Sequence, residues 1–168
     1  MSALPPGTSL REAPLPADPD RVERIVAGSG FFNQEEVEVA AELVRERLEK
    51  GPASGYEFLF LERGEELLGY TCYGEIAGAP GRWDLYWIAV DPAGRGQGWG
   101  RALLRETERR IAARGGVRVY VETGGKPLYE PTRAFYLACR YVEETRLRDF
   151  YADGDDKVFY VRDPRLTT

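Results

Sequence analysis

Residues 85–101 read Leu-Tyr-Trp-Ile-Ala-Val-Asp-Pro-Ala-Gly-Arg-Gly-Gln-Gly-Trp-Gly-Arg. An apolar run stops at Asp91-Pro92, crosses a turn with glycines at 94, 96, 98 and 100, and enters an amphipathic stretch. A turn of this make can bind an anion. Without Cβ atoms in the way, the N–H groups of the turn and of the following helix's first residues can converge on a phosphate. Arg95 and Arg101 set fixed positive charge at its edges. Two other phosphate loops are excluded by spacing. Gly-x-Gly-x-x-Gly is not completed, because Trp99 follows Gly94/Gly96 and Arg101 follows Gly96/Gly98, and no Gly-Lys-Ser/Thr occurs.

The chain has no histidine, and its two cysteines, Cys72 and Cys139, stand outside any Cys-x-x-Cys. Zinc and thiol–imidazole chemistry are therefore disfavoured. A proton acceptor must be a carboxylate, a tyrosine, or water held by one of them. Lys+Arg 23 against Asp+Glu 28 gives a net charge of −5, which argues against a nucleic-acid backbone as the main partner. Leu85 to Val90 is too short to span a bilayer, and Met1 to Asp20 is proline-rich without an apolar signal core. The expectation is a soluble cytoplasmic protein with no membrane or metal, a monomer or homodimer. Its 168 residues suit one domain over 1–168, with 1–7 as a loose tail.

The elements that must carry the turn follow from patterning. Thr8 to Glu12 reads as an edge strand and Pro19 to Ala27 as a short helix. Val37, Ala40, Ala41, Val44 and Leu48 share one face of a second helix. Asn33 and Glu36 have capping-box spacing, and Lys50-Gly51-Pro52 ends that helix. Between the two helices, Phe32 could staple onto Val37 or line a pocket, while Phe31 stays open. Tyr56 to Glu62 and Glu66 to Ile76 form a hairpin. Trp83 to Val90 is apolar on both faces, as for a central strand covered by helices on two sides. The helix from Gly98 to Arg114 buries Leu103, Leu104, Thr107 and Ile111. Arg105, Arg109 and Arg110 read as its solvated face, partly paired with Glu106 and Glu108. Val117 to Glu122 is a strand parallel to the central one, since a helix joins them. A helix from Pro131 to Cys139 and strands at Val142 to Tyr151 and Lys157 to Val161 complete the chain.

Arg95-Gly96-Gln97-Gly98-Trp99-Gly100, directly after Ile88-Ala89-Val90-Asp91-Pro92, fits Arg/Gln-x-x-Gly-x-Gly/Ala. This resembles the acyl-CoA pyrophosphate loop of the GNAT superfamily, the general N-acetyltransferases. The order of elements extends the resemblance over most of the chain. It implies an α/β (α+β) fold: a mixed, largely antiparallel seven-stranded sheet with a splayed parallel pair in the middle, flanked by about four helices. It also implies an N-acyltransferase that moves an acetyl group from acetyl-CoA to the primary amine of a small molecule or an exposed amino group. A catalytically silent acyl-CoA sensor of the same fold is the alternative.

By the same resemblance, pantetheine fills the gap between the splayed strands and pairs with backbone at Ile88, Ala89 and Val90. The pyrophosphate sits on the amides of Gly96, Gln97, Gly98 and Gly100, assisted by Arg95 and Arg101. A backbone N–H near Ile88 faces the thioester oxygen. An alkylammonium with a pKa of about 10.4 must lose a proton before attack. Asp84, on the same strand face as Tyr86, is the first candidate to accept it, with Glu122 and Glu75 in reserve. It could equally be a strand-end aspartate in a surface pair. Tyr136, in the segment Phe135-Tyr136-Leu137-Ala138-Cys139-Arg140-Tyr141, matches the family tyrosine that points at the departing sulfur, though a packed helix aromatic is the plain alternative. Two departures stand out: Arg140 holds a position usually glycine, and Tyr129 one often asparagine. The acceptor pocket would draw on Glu75, Asp84, Asp149, Asp155 and Asp156, which could suit a cation or could equally be ordinary surface.

Overall fold

The computed structural model describes residues 4–167. In chain order the elements are β1 (Ser9–Arg11), α1 (Asp18–Gly28), α2 (Gln34–Lys50), β2 (Glu57–Arg63), β3 (Glu66–Glu75), β4 (Arg82–Val90), α3 (Trp99–Ala113), β5 (Arg118–Gly124), α4 (Glu130–Ala138), β6 (Val142–Ala152) and β7 (Asp155–Arg162). The strands form one seven-stranded sheet in the order β1-β2-β3-β4-β5-β7-β6. β4 and β5 are its parallel pair. The chain packs as two compact units, one of Met1–Gly74 with Trp87–Thr107, the other of Glu75–Tyr86 with Glu108–Thr168. Of the expected tail, residues 1–3 lie outside the described residues, and Pro5 to Thr8 is a turn in which Thr8 N–H donates to the Pro5 carbonyl at 3.2 Å. No described helix is long and apolar enough to cross a membrane.

In the first unit, α1 starts where Pro19 needs no N–H partner and Asp18 and Asp20 favour the positive helix end. Asp18 is fully buried and accepts from Arg11 Nη1 and Nη2 at 2.7 and 3.0 Å, pinning the segment before the helix. The capping box closes α2 as its spacing predicts: Asn33 Oδ1 accepts from Glu36 N, and Glu36 Oε2 from Asn33 N, both at 2.9 Å. Val22, Ile25, Val26, Val37, Ala40 and Val44 pack on Phe58, Phe60, Tyr70 and Ala89. Leu48 does not join them; it is 38% exposed, because the buried stripe of α2 stops at Val44. Phe32 packs against this cluster, its ring edge-on to Trp87 at 4.9 Å.

In the second unit, β4 and β5 register from Arg82↔Arg118 to Leu85↔Val121. β5 runs on beside β7 to Gly124↔Lys157. β6 and β7 form a hairpin whose turn is Asp153-Gly154, with Gly154 at φ +78°. Two expectations need refinement. Glu106 and Glu108, expected as partial partners of the α3 arginines, are themselves buried, 9% and 3% exposed. Helical period explains it: Glu106 continues the stripe Trp99, Ala102, Leu103, and Glu108 lies between Leu104 and Ile111 on the next. And β4 is not sealed on both faces. Trp83, Leu85 and Ala89 are buried, but Ile88 and Val90 are half-buried and Tyr86 is 42% exposed. Apolar composition licenses burial without supplying a layer to provide it.

Candidate active site

The turn after β4 is built from its own backbone. Asp91 Oδ1 accepts from Ala93 N–H at 2.9 Å. Gly94 N–H reaches the Asp91 carbonyl at 2.8 Å, and Gln97 N–H the Gly94 carbonyl at 3.1 Å. The Gln97 amide, expected in the phosphate cradle, is thus already committed. Ala102 is the first residue of α3 to find an intrahelical acceptor, the Gly98 carbonyl at 3.0 Å. The N–H groups of Trp99 and Gly100 precede it in the first turn, where an α-helix supplies its own amides with no acceptor. They form the positive end of a fifteen-residue helix.

The glycines divide into two kinds. Gly96 and Gly98 hold φ of +74° and +81°, are exposed, and would meet nothing within 4 Å if a Cβ were added. They bend the chain and leave open space. Gly94 is buried, and a Cβ there would lie 2.0 Å from Cε3 of Trp99. Its role is to admit the Trp99 ring, which is 5% exposed and lies 5.7 Å below the Arg63 guanidinium. Arg95 folds back: its Nη2 donates to the Ser29 carbonyl at 2.6 Å and its guanidinium lies 5.6 Å from the Phe31 ring. Phe31, left open from sequence, is thus a neighbour of Arg95. Arg101 is exposed on the first turn of α3.

The second unit carries the proton-transfer candidates. Its strands present Trp83, Leu85, Val119, Val121, Val158 and Tyr160 to the buried face, so alternation and register put Asp84, Tyr120, Glu122, Lys157 and Phe159 on the other. Asp84 is half-buried and has no hydrogen bond or ion pair among the described residues. Its carboxyl is pushed up from the ordinary value by burial first and by Glu122 second, with Lys157 pulling the other way. The reserve base Glu122 is paired with Lys157 Nζ at 2.9 Å, and that ammonium lies 4.5 and 5.2 Å from the rings of Phe150 and Phe159.

The other expected carboxylates are occupied with structure. Glu75 accepts from Gly81 N–H at 2.8 Å, Asp149 from Gly154 N–H at 2.7 Å. Asp155 faces Lys126 at 3.4 Å, and Asp156 faces Arg146 at 3.2 Å. No grouping of metal-binding side chains occurs among the described residues. Tyr136 lies under the buried face, 4% exposed, its ring 5.6 Å from Tyr141 and 6.0 Å from Tyr160. Burial holds its phenol far above the ordinary range, so it stays protonated at neutral pH. Lys157 and the pair Glu108–Arg162 were not singled out from sequence. The stripe positions of Glu108 could have revealed a buried charge, whereas Lys157 depends on a strand register that no local pattern records.

Known proteins of the same shape bear on this geometry. A GNAT-family protein from Desulfovibrio desulfuricans is 42% identical, with a TM-score of 0.92 over 94% of this chain and 99% of that one. An aminoglycoside 6'-N-acetyltransferase complexed with coenzyme A has the same fold, at 18% identity and a TM-score of 0.73 over 96% and 98% of the two chains. The mycothiol acetyltransferase of Amycolatopsis mediterranei (strain U-32) is 35% identical over 126 residues, which are 69% of this chain; the match spans 41% of that longer protein. Residues 22–141, from α1 through the glycine turn to Tyr141, match the acetyltransferase (GNAT) family, and the chain belongs to it.

Proposed function

We propose that the protein transfers an acetyl group from acetyl-CoA to a primary amine by direct attack in a ternary complex. The observation that carries this reading is the open glycine turn at the N-terminus of α3. In this assignment the N–H groups of Gly96, Gly98 and Gly100 hold the diphosphate, with Arg95 and Arg101 neutralising its charge. Arg95 needs only to leave the Ser29 carbonyl. Pantetheine amides pair with main chain along Ile88, Ala89 and Val90, as an added strand would. A backbone N–H near Ile88 receives the charge that forms on the thioester oxygen.

The amine nitrogen bonds to the thioester carbon, the C–S bond breaks, and the amine's proton passes to Asp84 directly or through water. A carboxylate held above its ordinary value by burial and without a hydrogen bond or ion pair among the described residues suits that task. The sulfur takes a hydrogen bond from Tyr136. A phenol made this weakly acidic by burial is better matched to donating a hydrogen bond than to surrendering its proton to a thiolate of ordinary acidity near 8.5. Small-molecule amines are the favoured acceptors. Two relatives are named for acetylating small molecules, and the partner-free Asp84 suits a cation.

Titration with acetyl-CoA, followed by thiol release against a panel of primary amines, tests the reading. Binding with amine-dependent release is the expected result. Binding without release from any amine would reduce the protein to an acyl-CoA sensor, and absence of binding would remove the cofactor assignment.

A further inference from the structure

The last turn of α4 closes by a double main-chain lock. Arg140 N–H donates to the Leu137 carbonyl and Tyr141 N–H to the Tyr136 carbonyl, each at 3.0 Å. This pattern normally takes glycine at its left-handed residue, with an apolar contact between the residues at its ends. Here the contact is Tyr136 against Tyr141, 5.6 Å between rings. The left-handed residue is Arg140, at φ +67°, where an L side chain is strained. Something must hold it there.

Arg162 is placed to do so. From β7 its Nη1 donates to the carbonyls of Cys139 and Arg140 at 3.2 and 3.4 Å, and its Nη2 to that of Leu166 at 2.7 Å. Its Nε faces Glu108 Oε1 at 3.4 Å, and the two side chains are 3% and 4% exposed. The Tyr141 phenol, beside the same carboxylate, is pushed up by burial and by that charge. A buried ion pair is weak as a source of stability, because the loss of hydration offsets the attraction. What a guanidinium fork supplies is one fixed geometry on the carbonyls it grips.

We propose that Arg162, held by Glu108, is a positioning residue for Tyr136. By gripping the Cys139 and Arg140 carbonyls it keeps Arg140 left-handed, and the turn so formed fixes both the carbonyl and the ring of Tyr136. The inference rests on the reading that Tyr136 serves the departing thiolate.

A double-mutant cycle tests it. Arg162→Lys keeps the charge beside Glu108 and loses the fork. It should lower kcat about tenfold or more, the scale expected for a misplaced group, with the KM for acetyl-CoA nearly unchanged. In a Tyr136→Phe background the same change should cost nothing further. Equal fold losses in both backgrounds would overturn the inference, since Arg162 would then act on the fold at large. Wild-type kcat in Tyr136→Phe alone would instead overturn the role of Tyr136 itself. Should Arg162→Lys fail to fold, Glu108→Gln enters the same cycle with the same expected outcomes. Adding Arg140→Gly to Arg162→Lys should restore kcat toward the wild-type value, because glycine needs no help to stay left-handed. No recovery would also overturn the inference.

Discussion

Replacing Gly94 and Gly96 in turn by alanine should separate the glycines that serve the protein from those that serve its ligand. At Gly94 the new methyl would stand 2.0, 2.5 and 2.6 Å from three ring atoms of Trp99. That ring is 5% exposed and starts α3, so relief requires moving the helix or the turn. Overpacking of this kind costs about 1–3 kcal/mol, a fall in Tm of about 2–12 °C for a chain of this size. At Gly96 the methyl meets nothing within 4 Å, and only the φ of +74° opposes it. That strain is about 1–2 kcal/mol, partly offset by the stiffer unfolded chain. Alanine keeps the N–H but disfavours the conformation that aims it; if the turn relaxes away from that φ, a charge-assisted bond from the Gly96 N–H to a diphosphate oxygen is lost, which costs about 1.5–3 kcal/mol and weakens acetyl-CoA binding roughly 10- to 150-fold. Differential scanning fluorimetry reads the first effect and isothermal titration the second. Gly96→Ala binding acetyl-CoA as tightly as wild type, while melting normally, would refute the cradle.

Tyr136→Phe should lower kcat while leaving acetyl-CoA affinity nearly intact, read by steady-state kinetics; unchanged turnover would end its assignment. Asp84→Asn should move the alkaline-going rise of rate to higher pH, and a superimposable profile would clear Asp84 of the base role. Because the folded protein raises the Asp84 carboxyl, wild-type stability falls as pH climbs through that raised value. Asp84→Asn should therefore melt higher than wild type at neutral pH and equally in acid, where both side chains are uncharged. Arg140→Gly removes about 1–2 kcal/mol of left-handed strain and returns about 0.5–1 as backbone freedom, a net gain of at most about 1.5 kcal/mol, so Tm should rise by up to about 6 °C in a thermal melt.

The sheet was legible because its signals are local. Asn33 and Glu36 announce the start of α2 within four residues, Asp153-Gly154 turns the last hairpin, and the connection through α3 forces β4 and β5 parallel. The glycine turn between β4 and α3 was legible for the same reason, since strand, glycines and helix are consecutive. What stayed hidden depends on register between distant segments. Gly94 reads as one more cradle glycine until Trp99 folds back over it. Arg95 reads as a free cation until Ser29 and Phe31 arrive from another part of the chain. Lys157 becomes a neighbour of Glu122 only when β7 pairs with β5. The buried pair Glu108–Arg162 spans more than fifty residues, so no window of sequence contains both.

Where the chain breaks local rules, it does so in two different ways. Tyr70 buries a hydroxyl without a hydrogen-bond partner inside the apolar cluster of the first unit, where it is fully shielded from solvent. Asp84, Gly96 and Gly98 break rules at positions that solvent reaches, partly at Asp84 and openly at the two glycines, where a ligand can supply what the protein withholds. Strain or an unmet charge at such a place is a debt that binding can settle, and selection tolerates it only if binding occurs. Arg140 belongs with them at one remove, since its strained turn holds the residue assigned to the leaving group. The partnered state of Glu75, Asp149, Asp155 and Asp156 sharpens the contrast. Of the five carboxylates expected around the acceptor, Asp84, ranked first as base from its place on β4, is the one with no hydrogen bond or ion pair among the described residues, and the proposed proton transfer draws on that difference.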